Sequence, residues 1–546
     1  MWPRPTKRVK FWSLKERIVS DSDQFPAKSP IGLSAALART AQTRGNHPST
    51  IFKGTQRTWA ETNARVDRAA AALRAMGVKP GDRVALLALL SDRFFELMAA
   101  ISRAGGMFVP LNWRWSVPEL ADALTDCEPA VLFYDERMAE SGRALAKGRP
   151  EMKVATFTEG LDGLPFYEDL LANHAPGPEA PRGGDDGFSL GYTGGTTGRS
   201  KAAIVTHKNV LNMSLSCASE GILTADSVFL VTGPMFHVAG TFPALALIVG
   251  GGTGVLIEQY EPTETLRLIE KHQVNETLLV PTVLSMTIDC PDFHKFDTKS
   301  LKTIMYGGAP ITEALLDRVT AKLPHTDLVQ IYGMTELAGA CTMLPHKYLV
   351  GENRKRGFNT ATGRAMPGMH IRVVDENDSE LPRGEIGEIT LRSDTVMKGY
   401  WRRPKETADA LRNGWMHTGD GGYMNEEGLI FIVDRIKDMI ISGGENVYST
   451  EVENAVASHP AVKEVVVIGI PSEKWGEAVH AVVRLHDGME TTEADIIAHV
   501  RTRLAGYKTP RSVEFREEPF PVSPANKVLK REIRAPYWAG RSKTIV

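Results

Sequence analysis

The chain has 546 residues, too many for one hydrophobic core, so two or three domains are expected. Its 64 Lys and Arg nearly balance its 66 Asp and Glu, leaving a formal net charge of −2. That balance argues against nucleic acid or an anionic membrane as the main partner, and 42% hydrophobic residues is ordinary for a globular protein.

The four cysteines, Cys127, Cys217, Cys290 and Cys341, have neither metal-ligand nor redox spacing. Reduced buried thiols and a cytoplasmic location are the expectation. Residues 1–29 form a basic extension without the apolar core of a signal peptide. The longest apolar run, 241–257, is broken by Gly250, Gly251, Gly252 and Gly254, so no transmembrane segment is expected. Oligomeric state is not legible, and a homo-oligomer is left open.

From residue 49 the chain alternates strand and helix signals. Residues 49–52, 83–89, 107–111 and 130–134 read as buried strands, and 58–76, 92–103 and 116–125 as helices. A Pro/Gly-rich stretch at 175–184 leads to YTGGTTGRSK at 192–201. Its glycines uncover backbone N–H groups, its threonines add hydroxyls and Lys201 adds charge, which suits a loop around a polyphosphate. It lacks the Gly-Lys-Ser/Thr ending of the kinase-type loop, and a plain Gly/Thr-rich hairpin is the alternative reading.

Beyond it, strands at 228–231, 276–280, 301–306 and 328–332 run into PMFHVAG (234–240), Pro281, GGAP (307–310) and GMTE (333–336). Ligands of parallel sheets bind beyond the carboxyl ends of strands, so this convergence marks a site. Residues 363–434 read as a small antiparallel sheet or barrel, with a hairpin region at 413–422. A separate α+β domain follows, with a capping box at Thr450-x-x-Glu453 and strands at 462–470, 478–485 and 512–516.

Taken together, these motifs resemble the adenylate-forming, AMP-binding enzymes, and among them the acyl-CoA synthetases and fatty-acid–CoA ligases. The resemblance covers residues 30–538. It implies a large α/β N-terminal domain of mixed, mostly parallel sheets over 30–434, a hinge at 435–438 around Lys437, a small mobile α+β domain over 439–538, and a tail at 539–546. It also implies ATP, Mg²⁺ and coenzyme A as cofactors and a small carboxylic acid as substrate.

By the same resemblance, Thr193, Gly194, Gly195, Thr196, Thr197, Gly198 and Lys201 hold the phosphates. Gly308, Ala309, Pro310, Tyr332, Gly333 and Met334 line the adenine, and Asp420 and Arg435 hold the ribose. Thr335 meets the α-phosphate, Glu336 holds the metal with Thr196, and Lys527 is the catalytic lysine. Ser442, Gly443, Gly444, Tyr507 and Lys508 face CoA. The acyl pocket is drawn from His237, Val238, Ala239, Val280, Thr282, Gly307, Gly333, Ala338 and Gly339. His237 is also implied as a catalytic gate beside the pantetheine tunnel. It stands where amino-acid-activating relatives carry an aspartate, which argues against an amino acid substrate. Gly194, Ser200 and Asn526 depart from the family's usual Ser, Pro and Gly.

The pocket segments are apolar or small apart from His237, so a neutral tail is expected. Medium- or long-chain fatty acids rank first and aryl or alicyclic acids second. An enzyme that stops at the adenylate and a non-catalytic nucleotide-binding protein are the remaining alternatives.

Overall fold

The computed structural model describes residues 31–193, 200–309, 311–522 and 528–539. Two large sheets and the helices between them dominate the chain. One sheet has nine strands. Its six central strands, from Pro48–Phe52 to Asp327–Met334, run parallel, and antiparallel strands close both edges. The other has seven strands; Met107–Pro110, Arg83–Leu87, Val131–Tyr134 and Lys153–Thr156 run parallel, with Gly187–Thr193 alongside.

Between the sheets, Trp59–Ala75, Asp92–Ala104, His207–Ser219 and Val238–Gly250 share one core with strands of both. Asp92–Ala104 is buried at every position but Arg93, so it has no solvated face. Its carboxylate Glu96 is fully buried and pairs with Arg65 at 2.7 Å and Arg57 at 3.0 Å, which offsets the cost of burying the charge. Further helices cover the outer faces of both sheets. Such layering needs strands that are apolar on both faces.

The strands expected from the apolar runs are present with small shifts at their ends. Two expectations are corrected. Residues 413–422 do not turn back on themselves: Met416–Met424 is one nine-residue strand in an open four-stranded antiparallel sheet, paired on both sides. Thr450-x-x-Glu453 is not a capping box. The helix Ser449–Ala457 has its N-cap at Tyr448, two residues before Thr450, and Glu453 pairs with Lys530 at 2.7 Å and accepts from Val467 N at 2.8 Å. The Gly-broken apolar run divides as its glycines suggest, into the end of a helix, Val238–Gly250, closed by Gly251 at φ 84°, and the strand Thr253–Leu256. Gly251, Gly252 and Gly254 lie past the helix end, where a left-handed residue such as Gly251 terminates a helix cheaply.

The C-terminal part is a five-stranded sheet built around the hairpin Val462–Ser472 and Gly476–Leu485. Ser449 N and Oγ both donate to Asp434 at the end of the preceding sheet, at 2.5 and 2.6 Å. No helix among the described residues is long and apolar enough to cross a membrane.

Candidate active site

The stretch that resembles a phosphate loop spans an antiparallel hairpin, Gly187–Thr193 with Lys201–Thr206, in which Thr193 faces Lys201. A hairpin and a polyphosphate loop are therefore compatible readings. Gly194, Gly195, Thr196, Thr197 and Gly198 lie outside the described residues, as do Pro310 and Lys527.

Tyr332 to Glu336 end the last parallel strand. The strand Asp327–Met334 pairs antiparallel with Gly339–Leu344, and the register shifts at a bulge between Tyr332 and Gly333. A side chain on Gly333 would strike the Gly339 carbonyl, so only glycine fits there. The short turn Thr335–Leu337 then carries Thr335 to the phosphate-loop strand: a methyl on Gly191 would come within 2.5 Å of Thr335 Cγ2. Gly307 pairs with Ile331, which sets Gly308 and Ala309 beside this strand end. Val280, at the cap of the helix Pro281–Ile288, approaches Gly308 from just beyond the strand Glu276–Leu278.

Asp420 reaches the same place from the four-stranded sheet. It is buried, and Tyr332 donates its hydroxyl to one carboxylate oxygen at 2.5 Å while Arg435 Nε meets the other at 2.9 Å. Arg435 is its direct cross-strand partner. Burial opposes the Arg435 charge, but Asp420, joined by Tyr332, Asp438 and Glu336, more than offsets this and raises its pKa. Burial and the same carboxylate push the Tyr332 phenol well above its ordinary value, so it stays a donor. The result is a fixed anion flanked by a ring and a guanidinium.

Glu336 is bound by a residue the sequence reading missed. Tyr400 donates its hydroxyl to Glu336 Oε1 at 2.9 Å, and Lys201 Nζ stands 5.4 Å from the Tyr400 ring centroid. Nothing periodic marks Tyr400, because it sits in a two-residue edge strand. No cluster of three or more His, Cys, Asp or Glu occurs among the described residues. Glu336 as a lone carboxylate fits a magnesium ion that brings phosphate oxygens and waters with it, not a resident metal cage.

His237 caps the helix Val238–Gly250, its Nδ1 accepting from Ala239 N at 3.2 Å. Val238 and Ala239 are the first residues of that helix, and Gly339 packs on Met213 of the neighbouring one. Next to His237 stands an aromatic pair that the sequence reading also missed, Trp113 and Phe236, edge to face at 6.0 Å with Arg114 over both rings. Thr282 is exposed in the first turn of Pro281–Ile288.

Other expected residues lie in the C-terminal sheet or its approach. Lys437 is exposed in the tight turn after Ile430–Arg435, where Asp438 N and Met439 N return to Arg435 O. Ser442 ends one arm of a hairpin whose turn is Gly443 and Gly444, and Gly443 N donates to Trp475 O at 2.7 Å. Tyr507 is exposed, and Lys508 is bound to both oxygens of Glu451 at 2.8 Å.

Nucleotide-sized polar groups thus converge beyond the ends of parallel strands, in a chain of two linked units. Residues 37–401 match the AMP-binding enzyme family and 451–527 its C-terminal domain. The chain is 38% identical to a feruloyl-CoA synthase of an Amycolatopsis species, over 92% of this chain and 98% of that one. It is 37% identical to a long-chain-fatty-acid–CoA ligase of Mycobacterium tuberculosis (88% and 93% covered) and 34% identical to an indoleacetate–CoA ligase of Aromatoleum aromaticum (87% and 92%). The fold superposes on ATP-bound MatB from Rhodopseudomonas palustris with a TM-score of 0.84 at 32% identity, covering 93% of this chain and 99% of the other. The chain belongs to the AMP-binding enzyme family. Within it, the chain is an AMP-forming acid–thiol ligase that uses ATP and coenzyme A.

Proposed function

We propose that this ligase activates a carboxylic acid with an uncharged aryl or alicyclic tail, with medium- or long-chain fatty acids as the second reading. This reverses the order that pocket polarity alone gave. Two of the three relatives described above are named for aryl acids, and the one named for fatty acids is nearly as similar. The observation that carries the reading is the aromatic wall of Trp113 and Phe236 beside His237. A planar ring lies against such a wall and gives up few rotors, whereas an alkyl chain must order every bond.

The reaction has two steps in this reading. A substrate carboxylate oxygen attacks the α-phosphorus of ATP, the bond to the β-phosphate oxygen breaks, and acyl-adenylate and pyrophosphate result. The CoA thiolate sulfur then attacks the acyl carbon and AMP leaves with the bonding pair. Asp420 accepts from the ribose diol, Arg435 and Tyr332 hold that carboxylate, and Thr335 meets the α-phosphate. Lys527 bridges substrate carboxylate and α-phosphate, and Lys201 with the loop at 193–198 neutralises the departing pyrophosphate. A magnesium ion held by Glu336 and Thr196 would add positive charge there. His237 sits at the thiol entrance, and Ser442, Gly443, Gly444, Tyr507 and Lys508 take CoA.

The division is a unit at 30–434, a hinge at 435–438 about Lys437, a mobile unit at 439–538 and a tail. A cytoplasmic location belongs to the same reading.

Steady-state kcat/KM over benzoate-, cinnamate- and arylacetate-type acids, fatty acids of rising length, amino acids and dicarboxylates tests the substrate assignment. The expected order is aryl or alicyclic acids first, fatty acids next, and amino acids and dicarboxylates below detection. A preference for an amino acid or dicarboxylate overturns the neutral-tail argument; a monotonic rise with alkyl length reinstates the fatty acid.

A further inference from the structure

Tyr400 lies outside every assignment above, yet its position is fixed from several sides. Gly399–Tyr400 forms the edge strand beside Lys201–Thr206, with Tyr400 opposite Ala203. Gly399 has φ 145°, and a side chain there would strike Thr407, so the chain enters the tyrosine on one course. Tyr400 N donates to Thr407 Oγ1 at 2.9 Å and Trp401 N to Ala202 O at 2.8 Å. Asp126 then gathers the neighbourhood. Its backbone oxygen accepts from Trp401 Nε1 at 3.0 Å, and its carboxylate meets Arg403 at 3.0 Å and the Tyr192 hydroxyl at 3.1 Å. One helix end therefore anchors both the strand entering the phosphate loop and the segment carrying Tyr400.

From this mount the tyrosine touches two opposite charges, Glu336 through its hydroxyl and Lys201 through its ring face. In the bond to Glu336 the Tyr400 hydroxyl is the donor, since a carboxylate can only accept. The carboxylate and the ammonium thus meet different parts of one side chain. A side chain that engages both leaves each available to a third group.

We propose that Tyr400 is a positioning residue for the phosphate end of the nucleotide site, holding Glu336 ready for the metal that accompanies ATP while its ring steadies Lys201 for the phosphates. The inference rests on the ligase reading. It assigns Tyr400 no contact with substrate; the residue acts through Glu336 and Lys201.

The test compares Tyr400→Phe and Tyr400→Leu with wild type in the full-length chain. ATP binding is measured calorimetrically with magnesium and with EDTA, alongside the magnesium dependence of pyrophosphate release. Phenylalanine removes the hydroxyl and keeps the ring, so its affinity should be unchanged in EDTA. With magnesium its affinity should fall about fivefold, the worth of one hydrogen bond, and the half-saturating magnesium concentration should rise to match. Leucine also removes the ring, so binding should weaken in both arms. The melting temperature of Tyr400→Phe should equal that of wild type. An unchanged magnesium dependence in Tyr400→Phe, or equal loss with and without the metal, overturns the role of the hydroxyl. A wild-type chain that binds no ATP overturns the ligase reading itself and this proposal with it.

Discussion

Replacing Asp420 with asparagine is expected to lower kcat/KM for ATP about a hundredfold, the sum of two weakened charge-assisted hydrogen bonds. The buried carboxylate holds Arg435 on one oxygen and the Tyr332 hydroxyl on the other. Asparagine offers one acceptor in place of two, and its NH₂ group would face either the guanidinium or the ribose. The two ribose hydroxyls then lose a matched partner. A sharper measurement is the ratio of rates with ATP and 2′-deoxyATP. Wild type should discriminate strongly and Asp420→Asn hardly at all. Retained discrimination in the variant would place the ribose elsewhere. Tyr332→Phe serves as the control, because it removes one hydrogen bond to Asp420 and leaves the carboxylate, so a loss of about fivefold is expected.

Lys527→Ala is expected to slow acyl-adenylate formation by at least about a hundredfold, the scale of removing one preorganised charge from a developing anionic transition state. Acyl-adenylate supplied from outside should still convert to thioester with CoA at close to the wild-type rate. The asymmetry follows from charge. In the first step a carboxylate approaches a polyphosphate and needs a cation between them, whereas in the second AMP departs from an acyl carbon. Single-turnover measurements of each half-reaction decide the matter, and an equal fall in both would remove Lys527 from the adenylation step. Lys530, three residues on, is bound to Glu453 at 2.7 Å and to the Ser449 hydroxyl at 2.6 Å. Its charge is committed to the frame of the C-terminal sheet, so Lys530→Ala is no substitute for this test.

Much of the fold was legible because most of the parallel strands here are short apolar runs close to Gly, Pro or Asp, although Lys153–Thr156, which begins with an exposed lysine, carries no such signal. Strands such as Arg83–Leu87 and Val131–Tyr134 are apolar on both faces since helices cover both. The errors came where local signals compete. Thr450 and Glu453 have capping-box spacing, but Glu453 is drawn to Lys530, 77 residues away, and Ser449 to Asp434. Asn413 and Gly414 do make a turn, with Asn413 at φ 54°, but Trp415 is already extended and the strand runs on to Met424. A turn signal locates a reversal without saying how long the next strand is.

By itself the sequence determined the family, the order of the motifs and the chemistry that each motif can offer, because these depend on residue types at short spacings. Tertiary structure alone decided which motifs meet. Tyr332, Asp420 and Arg435 come from two sheets and join through bonds of 2.5 and 2.9 Å that no local pattern encodes. Tyr400, in a strand two residues long, is joined to Glu336 and Lys201 only because Asp126 and Ala202 fix its segment beside the hairpin. Spacing along the chain carries information over a few residues, whereas the contacts of Tyr332 with Asp420 and of Tyr400 with Glu336 and Lys201 span 64 to 199 positions and exist only once the sheets have packed on their shared helices.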